Sequence, residues 1–136
     1  MKIKGNILGI AEALAAAVLL IGALTFFSAC EESEGRFMNC HWAQNAVALS
    51  GAVLVFLSLL RVFIPKRDVK AGIAISIFAV AVSVIFIPST LINLCMMDTM
   101  RCHTVFKPAV IAVSSVIVVI SGVDAAAGLI RSGKGE

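Results

Sequence analysis

The sequence predicts an all-α protein, a bundle of four transmembrane helices that forms a single domain over residues 1–136. Three observations support this fold class. First, 60% of the residues are hydrophobic and only 14% are charged, with a mean hydropathy of +1.05, which leaves too little polar surface for a soluble domain. Second, the chain contains four apolar runs, each near the roughly 20 residues that cross a hydrocarbon core. Third, the basic residues are concentrated on one side of these runs.

The four runs are predicted to be helices, because a lipid-exposed segment can satisfy its backbone hydrogen bonds only within itself. They cover approximately residues 6–29, 43–64, 71–92 and 108–130. Three prolines refine their ends. Pro65 stops the second run, Pro88 predicts a kink or an early end of the third, and Pro108 suits the first turn of the fourth.

The basic residues predict the orientation. Eight of the 11 flank one side of the predicted membrane: Lys2, Lys4, Arg61, Lys66, Arg67, Lys70, Arg131 and Lys134. Only Arg36, Arg101 and Lys107 flank the other side. By the positive-inside rule, both termini lie in the cytoplasm and the loops 30–42 and 93–107 lie on the opposite side of the membrane. That side is extracytoplasmic if the chain lies in a bacterial inner membrane. The net charge of +3 therefore reflects topology, and we expect the lipid bilayer as a partner and no nucleic acid.

The two outer windows, residues 30–41 and 95–103, contain all four cysteines, both histidines and every methionine except the initiator. The second window repeats the first, since Met38-Asn39-Cys40-His41 is followed 62 residues later by Met100-Arg101-Cys102-His103. Two hairpin repeats inserted in the same direction would be related by an axis along the membrane normal. The sequence therefore predicts that the two windows form one composite Cys/His/Met cap.

Disulfides are the simplest use of the cap. The candidates for disulfide or redox chemistry are Cys30, Cys40, Cys95 and Cys102, which allow three pairings and would face an oxidising compartment. On a continuous helix, Cys95 and Cys102 would lie about 10.5 Å apart along the axis, too far for a disulfide. That pairing therefore requires a turn between them, and pairing between the two windows stays open.

A metal site is the second use of the cap. The candidate ligands are Cys40, His41, Cys102, His103, Met38 and Met100. Two thiolates and two imidazoles suit tetrahedral Zn²⁺, whereas the neighbouring thioethers favour Cu(I). Adjacent residues on a helix diverge by about 100°, so one or two ligands from each half is the easier geometry.

The enzymatic alternative is thiol–disulfide exchange. Four spans with two cysteine pairs outside are similar to the membrane thiol oxidases that pass electrons to quinone. Their Cys-x-x-Cys pair is absent here, although a histidine beside Cys40 and Cys102 favours the reactive thiolate. No Walker loop, Ser/His/Asp set or catalytic carboxylate pair is evident, so the sequence favours a binding or accessory protein over an enzyme.

Three ionisable residues interrupt the apolar runs. Glu12 lies about two turns inside the membrane, Asp124 lies at a similar depth, and Arg61 can reach either of them. Intramembrane charges are costly and are usually paired. We therefore predict a polar cluster of Glu12, Arg61 and Asp124 near the inner interface, serving either as a structural tie or as a proton or ion relay.

Two stripes of small residues predict close helix packing. The first run has Gly5, Gly9, Ala13 and Ala17, and the third has Gly72, Ser76, Ala79 and Ser83. Packing within the bundle is the simpler interpretation, and a homo-oligomer is the alternative.

The sequence also resembles a known family. The segments that carry the resemblance are Cys95-Met96-Met97, Met100-Arg101-Cys102, Lys107-Pro108-Ala109 and Met38-Asn39-Cys40-His41-Trp42. They resemble a family of small four-span prokaryotic membrane proteins that carries a domain-of-unknown-function label, and the resemblance covers essentially the whole chain. It implies a four-helix membrane protein with no established reaction. It also implies an accessory role beside the FtsX-like permeases of ABC transporters.

Overall fold

A computed structural model describes residues 2–25, 39–91 and 102–134, and the side chains of residues 6–25, 42–90 and 104–134. Its four long helices are α1 (Lys2–Leu24), α2 (Asn39–Phe63), α3 (Arg67–Phe86) and α4 (Lys107–Gly133). They are 20 to 27 residues long, and each includes a stretch long and apolar enough to cross a membrane. The described residues contain no strand. The predicted fold class is confirmed: the chain is an all-α, multi-pass membrane protein.

The helices begin earlier at one end of the bundle than the sequence predicts. Helix α2 starts at Asn39 rather than near residue 43, so the backbone of Cys40 and His41 is helical. A π-helical turn, Cys102–Phe106, runs directly into α4. The described parts of the expected loops 30–42 and 93–107 are therefore helical extensions. Phe106 explains the second extension, because its side chain is 1% exposed and its burial anchors the turn before α4.

The sequence predicts a kink or an early end of the third run at Pro88, and the structure shows a change of helix type there. The α-helix ends at Phe86 and continues as a π-helical turn, Ile87–Leu91, because proline cannot donate the next backbone hydrogen bond. Nearby hydroxyls bond the carbonyls of this region: Ser89 Oγ donates to Ile85 O at 3.4 Å and Thr90 Oγ1 donates to Phe86 O at 3.1 Å. The third helix is therefore extended rather than broken at its proline.

The four helices pack as two antiparallel hairpins. Helix α1 packs against α2 and α3 against α4, and the hairpins join through α1–α4 and α2–α3 contacts. The core of the described bundle includes Leu19, Val47, Leu54, Ile77, Val84, Phe106, Val110 and Ile117. Large apolar side chains also cover the outside, among them Ile10, Leu14, Phe56, Val119 and Leu129. An apolar exterior of this kind fits a lipid environment and not water.

Several glycines lie at close contacts between helices. A Cβ added at Gly51 of α2 would lie 3.3 Å from Leu20 Cα, and one at Gly128 would lie 3.1 Å from Ala71 Cβ. Gly9, from the first small-residue stripe, is buried, and an added Cβ would lie 3.4 Å from Val62 Cγ2. At these positions small residues let helices of the same chain approach closely.

The second small-residue stripe does not face the bundle. Its members Gly72, Ser76, Ala79 and Ser83 are all exposed, and a Cβ added at Gly72 would meet nothing within 4 Å. The face of α3 that is buried carries Ala74, Ile77, Ala81 and Val84 instead. The stripe is therefore an outer surface of α3, which the spacing of its small residues alone did not predict.

Candidate functional site

The antiparallel packing gives the bundle two chemically different ends. At one end, which we call the basic end, lie the exposed residues Lys66, Arg67, Arg131 and Lys134. The opposite end, which we call the Cys/His end, contains the start of α2 and the turn that precedes α4. There Gln44 Nε2 donates a hydrogen bond of 2.8 Å to the carbonyl of Ala23 and so ties α2 to the end of α1.

An ionic cluster of Glu12, Arg61 and Asp124 joins three helices toward the basic end. Arg61 of α2 lies between the two carboxylates. Its Nη1 donates to Glu12 Oε2 of α1 at 2.6 Å, and its Nη2 pairs with Asp124 Oδ2 of α4. The structure thus brings together the three ionisable residues that interrupt the apolar runs. The arrangement links both hairpins through a single guanidinium.

The helix periodicity explains why these charges point inward. On α1, Glu12 continues the buried face formed by Ala16, Leu19 and Ala23, which has the spacing of four and three expected for one side of a helix. Arg61 likewise follows the buried Leu54 and Ser58 on α2. Asp124 is next to the buried Ala125 and lies at the edge of the buried face of α4. A cation in the last turn of α2 is also favoured by the helix dipole.

The side chains of the cluster are almost completely buried. Glu12 is 0% exposed and Arg61 is 4% exposed, whereas the side chain of Asp124 is 12% exposed. Glu12 Oε1 and Arg61 Nε are buried and have no hydrogen-bond partner. In such a site an ion pair is held tightly, but each unpaired polar atom is costly. The cluster can therefore hold three helices together, and Glu12 Oε1 is a carboxylate oxygen that accepts no hydrogen bond.

Buried serine hydroxyl groups also lie in the core of the bundle. Ser58 Oγ donates to Leu54 O at 2.8 Å, and Ser121 Oγ donates to Ile117 O at 2.7 Å, as serines in membrane helices commonly do. Ser114 Oγ is buried without a partner. It is ten residues from Asp124 on α4 and so lies about 15 Å away along the helix axis. The serine and the ionic cluster are therefore separate features.

Most atoms of the predicted cap lie outside the described residues. This applies to Cys30, Cys95, Met38 and Met100 as a whole, and to the side chains of Cys40, His41, Cys102 and His103. Among the described side chains, no group of three His, Cys, Asp or Glu residues is arranged to hold a metal. The disulfide and metal assignments of the cap therefore stay predictions.

At the Cys/His end the structure describes the backbone of both Cys-His pairs of the predicted cap. Cys40 and His41 are in the first turn of α2, and Cys102 and His103 open the turn that leads into α4. Close behind each pair comes a buried residue, Ala43 in α2 and Phe106 before α4, and both belong to the same core cluster.

Comparison with known proteins adds one match. The sequence model of a family described as "Domain of unknown function (DUF4418)" matches residues 12–127, a range that contains the whole ionic cluster and both Cys/His windows. No curated protein and no solved structure matches the chain significantly.

Proposed function

The chain belongs to the DUF4418 family, and we propose that it is an integral membrane binding or accessory protein with an extracytoplasmic Cys/His/Met cap. Disulfides or a soft metal, Zn²⁺ or Cu(I), hold the cap together. The observation that supports this proposal is that Ala43 and Phe106 are both buried in the core of the bundle. Each follows a Cys-His pair, Cys40-His41 or Cys102-His103, within the first turns of a helical segment.

The distribution of charge supports the orientation. The exposed lysines and arginines of the basic end lie opposite the Cys/His end, and membrane proteins retain such residues in the cytoplasm. The cap is then on the extracytoplasmic face of a prokaryotic cytoplasmic membrane. In that compartment thiols are oxidised readily, and cysteine and histidine ligands suit zinc or copper.

An accessory role requires a partner within the membrane. The proposed partner is an FtsX-like permease of an ABC transporter, and a second copy of the chain is the alternative. The outer surface of α3 supports such a contact, because Gly72, Ser76, Ala79 and Ser83 are small and exposed there. Small residues let a neighbouring membrane helix approach closely.

The proposal is tested on the full-length protein, extracted from membranes without reductant. Intact mass before and after reduction and alkylation counts the disulfides, and elemental analysis of the same sample counts zinc and copper. We expect either at least one disulfide or about one metal ion per chain. A metal ion should be lost in both Cys40→Ser and Cys102→Ser, and each of these variants should lose any disulfide that its own cysteine forms. Ser76→Ala, on the outside of α3, is the matched control and should keep the wild-type result.

Four freely alkylated thiols with no bound metal would contradict the proposal. Cysteines that are reduced and reoxidised by added quinone would replace it with the alternative function, a quinone-linked thiol–disulfide oxidoreductase. The same preparation distinguishes the two functions, because the cysteines of a structural cap do not undergo repeated reduction and reoxidation.

A further inference from the structure

The ionic cluster contains more acidic than basic groups. Glu12 and Asp124 share one guanidinium, that of Arg61, so the cluster carries a net charge of −1 when all three groups are ionised. No other described charge is paired with it. On α3, Arg67 and Asp68 are exposed and Lys70 is half-buried, and the remaining charges of α4 at this end, Arg131 and Lys134, are exposed.

A net charge is costly in this location. Water stabilises ions far better than a protein interior within lipid, and a buried acid without a full counter-charge becomes neutral by taking up a proton. The geometry distinguishes the two acids. Glu12 is completely buried and keeps one oxygen, Oε1, without a partner, whereas Asp124 lies at the edge of the bundle and is partly exposed.

We propose that the cluster is a proton-binding site, in which one proton resides on the carboxyl group of Glu12 while Asp124 and Arg61 remain an ion pair. The proton exchanges with water at the basic end, by way of the more exposed side where Asp124 lies. On release, the O–H bond of Glu12 breaks, its electron pair stays on the carboxylate, and the proton passes to water. The cluster then changes from charge 0 to −1.

A proton fits this site better than a metal cation. Both carboxylates are already engaged by Arg61 through Glu12 Oε2 and Asp124 Oδ2. Two buried acidic oxygens of the described cluster form no hydrogen bond, Glu12 Oε1 and Asp124 Oδ2, and the second is ion-paired with Arg61. A cation would therefore find only Glu12 Oε1 outside these ion pairs, and it would lie beside the positive guanidinium. Alkali and alkaline-earth ions require several oxygen ligands, whereas a proton requires only one.

Infrared spectroscopy tests the proposal, because a protonated carboxyl group has a C=O stretch separate from that of a carboxylate. The full-length protein in lipid bilayers is measured at neutral pH. We expect one protonated carboxyl band per chain that moves in heavy water and is lost in Glu12→Gln. The band should also be lost in Asp124→Asn, because Arg61 is then free to pair with an ionised Glu12. Asp68→Asn, a change at an exposed acid of α3, should leave the band intact.

Carbon-13 labelling of glutamate assigns the band without any substitution and covers the case in which a variant does not fold. The proposal predicts that the label shifts the band. No protonated carboxyl band at neutral pH, or a band that is unmoved by labelled glutamate, would overturn it. Neither result depends on whether the cap binds metal.

Discussion

Replacing Arg61 should destabilise the bundle far more than replacing either acid that it binds. In Arg61→Gln, the largely buried Asp124 loses its only described ion-pair partner, and the completely buried Glu12 loses the hydrogen bond that Nη1 donates to it. Removing one member of a buried ion pair typically costs about 3–5 kcal/mol, and here a single change removes the partner of two acids. We therefore expect a loss in that range in the free energy of unfolding.

The Glu12→Gln change should be nearly neutral, with a loss below about 1 kcal/mol. Arg61 keeps its pair with Asp124, and the amide oxygen of the new side chain can still accept a hydrogen bond from Nη1. Interhelical hydrogen bonds within membranes contribute only about 0.6 kcal/mol on average. A much larger loss for Arg61→Gln than for Glu12→Gln is therefore expected when the cluster has one more acid than its single guanidinium can neutralise.

The assay is equilibrium unfolding of the purified protein by titration of a denaturing detergent into mild micelles. Loss of helical circular dichroism gives the unfolded fraction. Lys66→Gln, a change at an exposed residue of the basic end, is the control for loss of a positive charge and should lie close to wild type. Equal losses for Arg61→Gln and Glu12→Gln would refute the reasoning, since both acids would then have to be ionised and paired.

Three further predictions use other contacts and the same unfolding assay unless stated. Gly51→Ala should cost about 1–3 kcal/mol by overpacking against Leu20, whereas Gly72→Ala, with open space around it, should be neutral or stabilising; the reverse order would contradict the described packing. Phe106→Ala should cost about 3–5 kcal/mol because it empties a buried site, and a change below 1 kcal/mol would show that Phe106 is not part of the core. A single cysteine at position 66, placed by Lys66→Cys in a cysteine-free chain, should react with a membrane-impermeant maleimide in inverted vesicles and not in intact cells; labelling in intact cells would reverse the proposed orientation.

The helices were predictable because hydropathy over about 20 residues is a strong signal in a membrane protein. The ionic cluster could also be anticipated, since a charge in an apolar run must find a partner and Glu12, Arg61 and Asp124 are the obvious candidates. What the sequence left open is which carboxylate oxygen remains unpaired, because this depends on how three helices meet at one guanidinium.

Helix ends and outward faces were harder to predict. The helical turns at Asn39 and Cys102 include polar window residues, since buried residues further along, such as Phe106, stabilise the helical backbone that precedes them. The stripe of α3 that begins at Gly72 has the spacing of a packing surface, but spacing alone does not tell whether the neighbour is in the same chain. Only the positions of the other helices show that this face points outward.

The most direct test of the shared cap asks whether the two halves of the chain can be joined through it. A protease site is inserted into the connection at residues 64–66, and Cys30 and Cys95 are replaced by serine, so that only Cys40 and Cys102 remain. The membrane-embedded protein is oxidised under mild conditions, cleaved, and analysed without reductant. We expect the halves to stay joined by a Cys40–Cys102 bond and to separate on reduction. The control is a pair of cysteines placed in contact between α1 and α4, which the same oxidation must join. If this control pair is joined but the halves that carry Cys40 and Cys102 separate without reductant, the shared cap is contradicted.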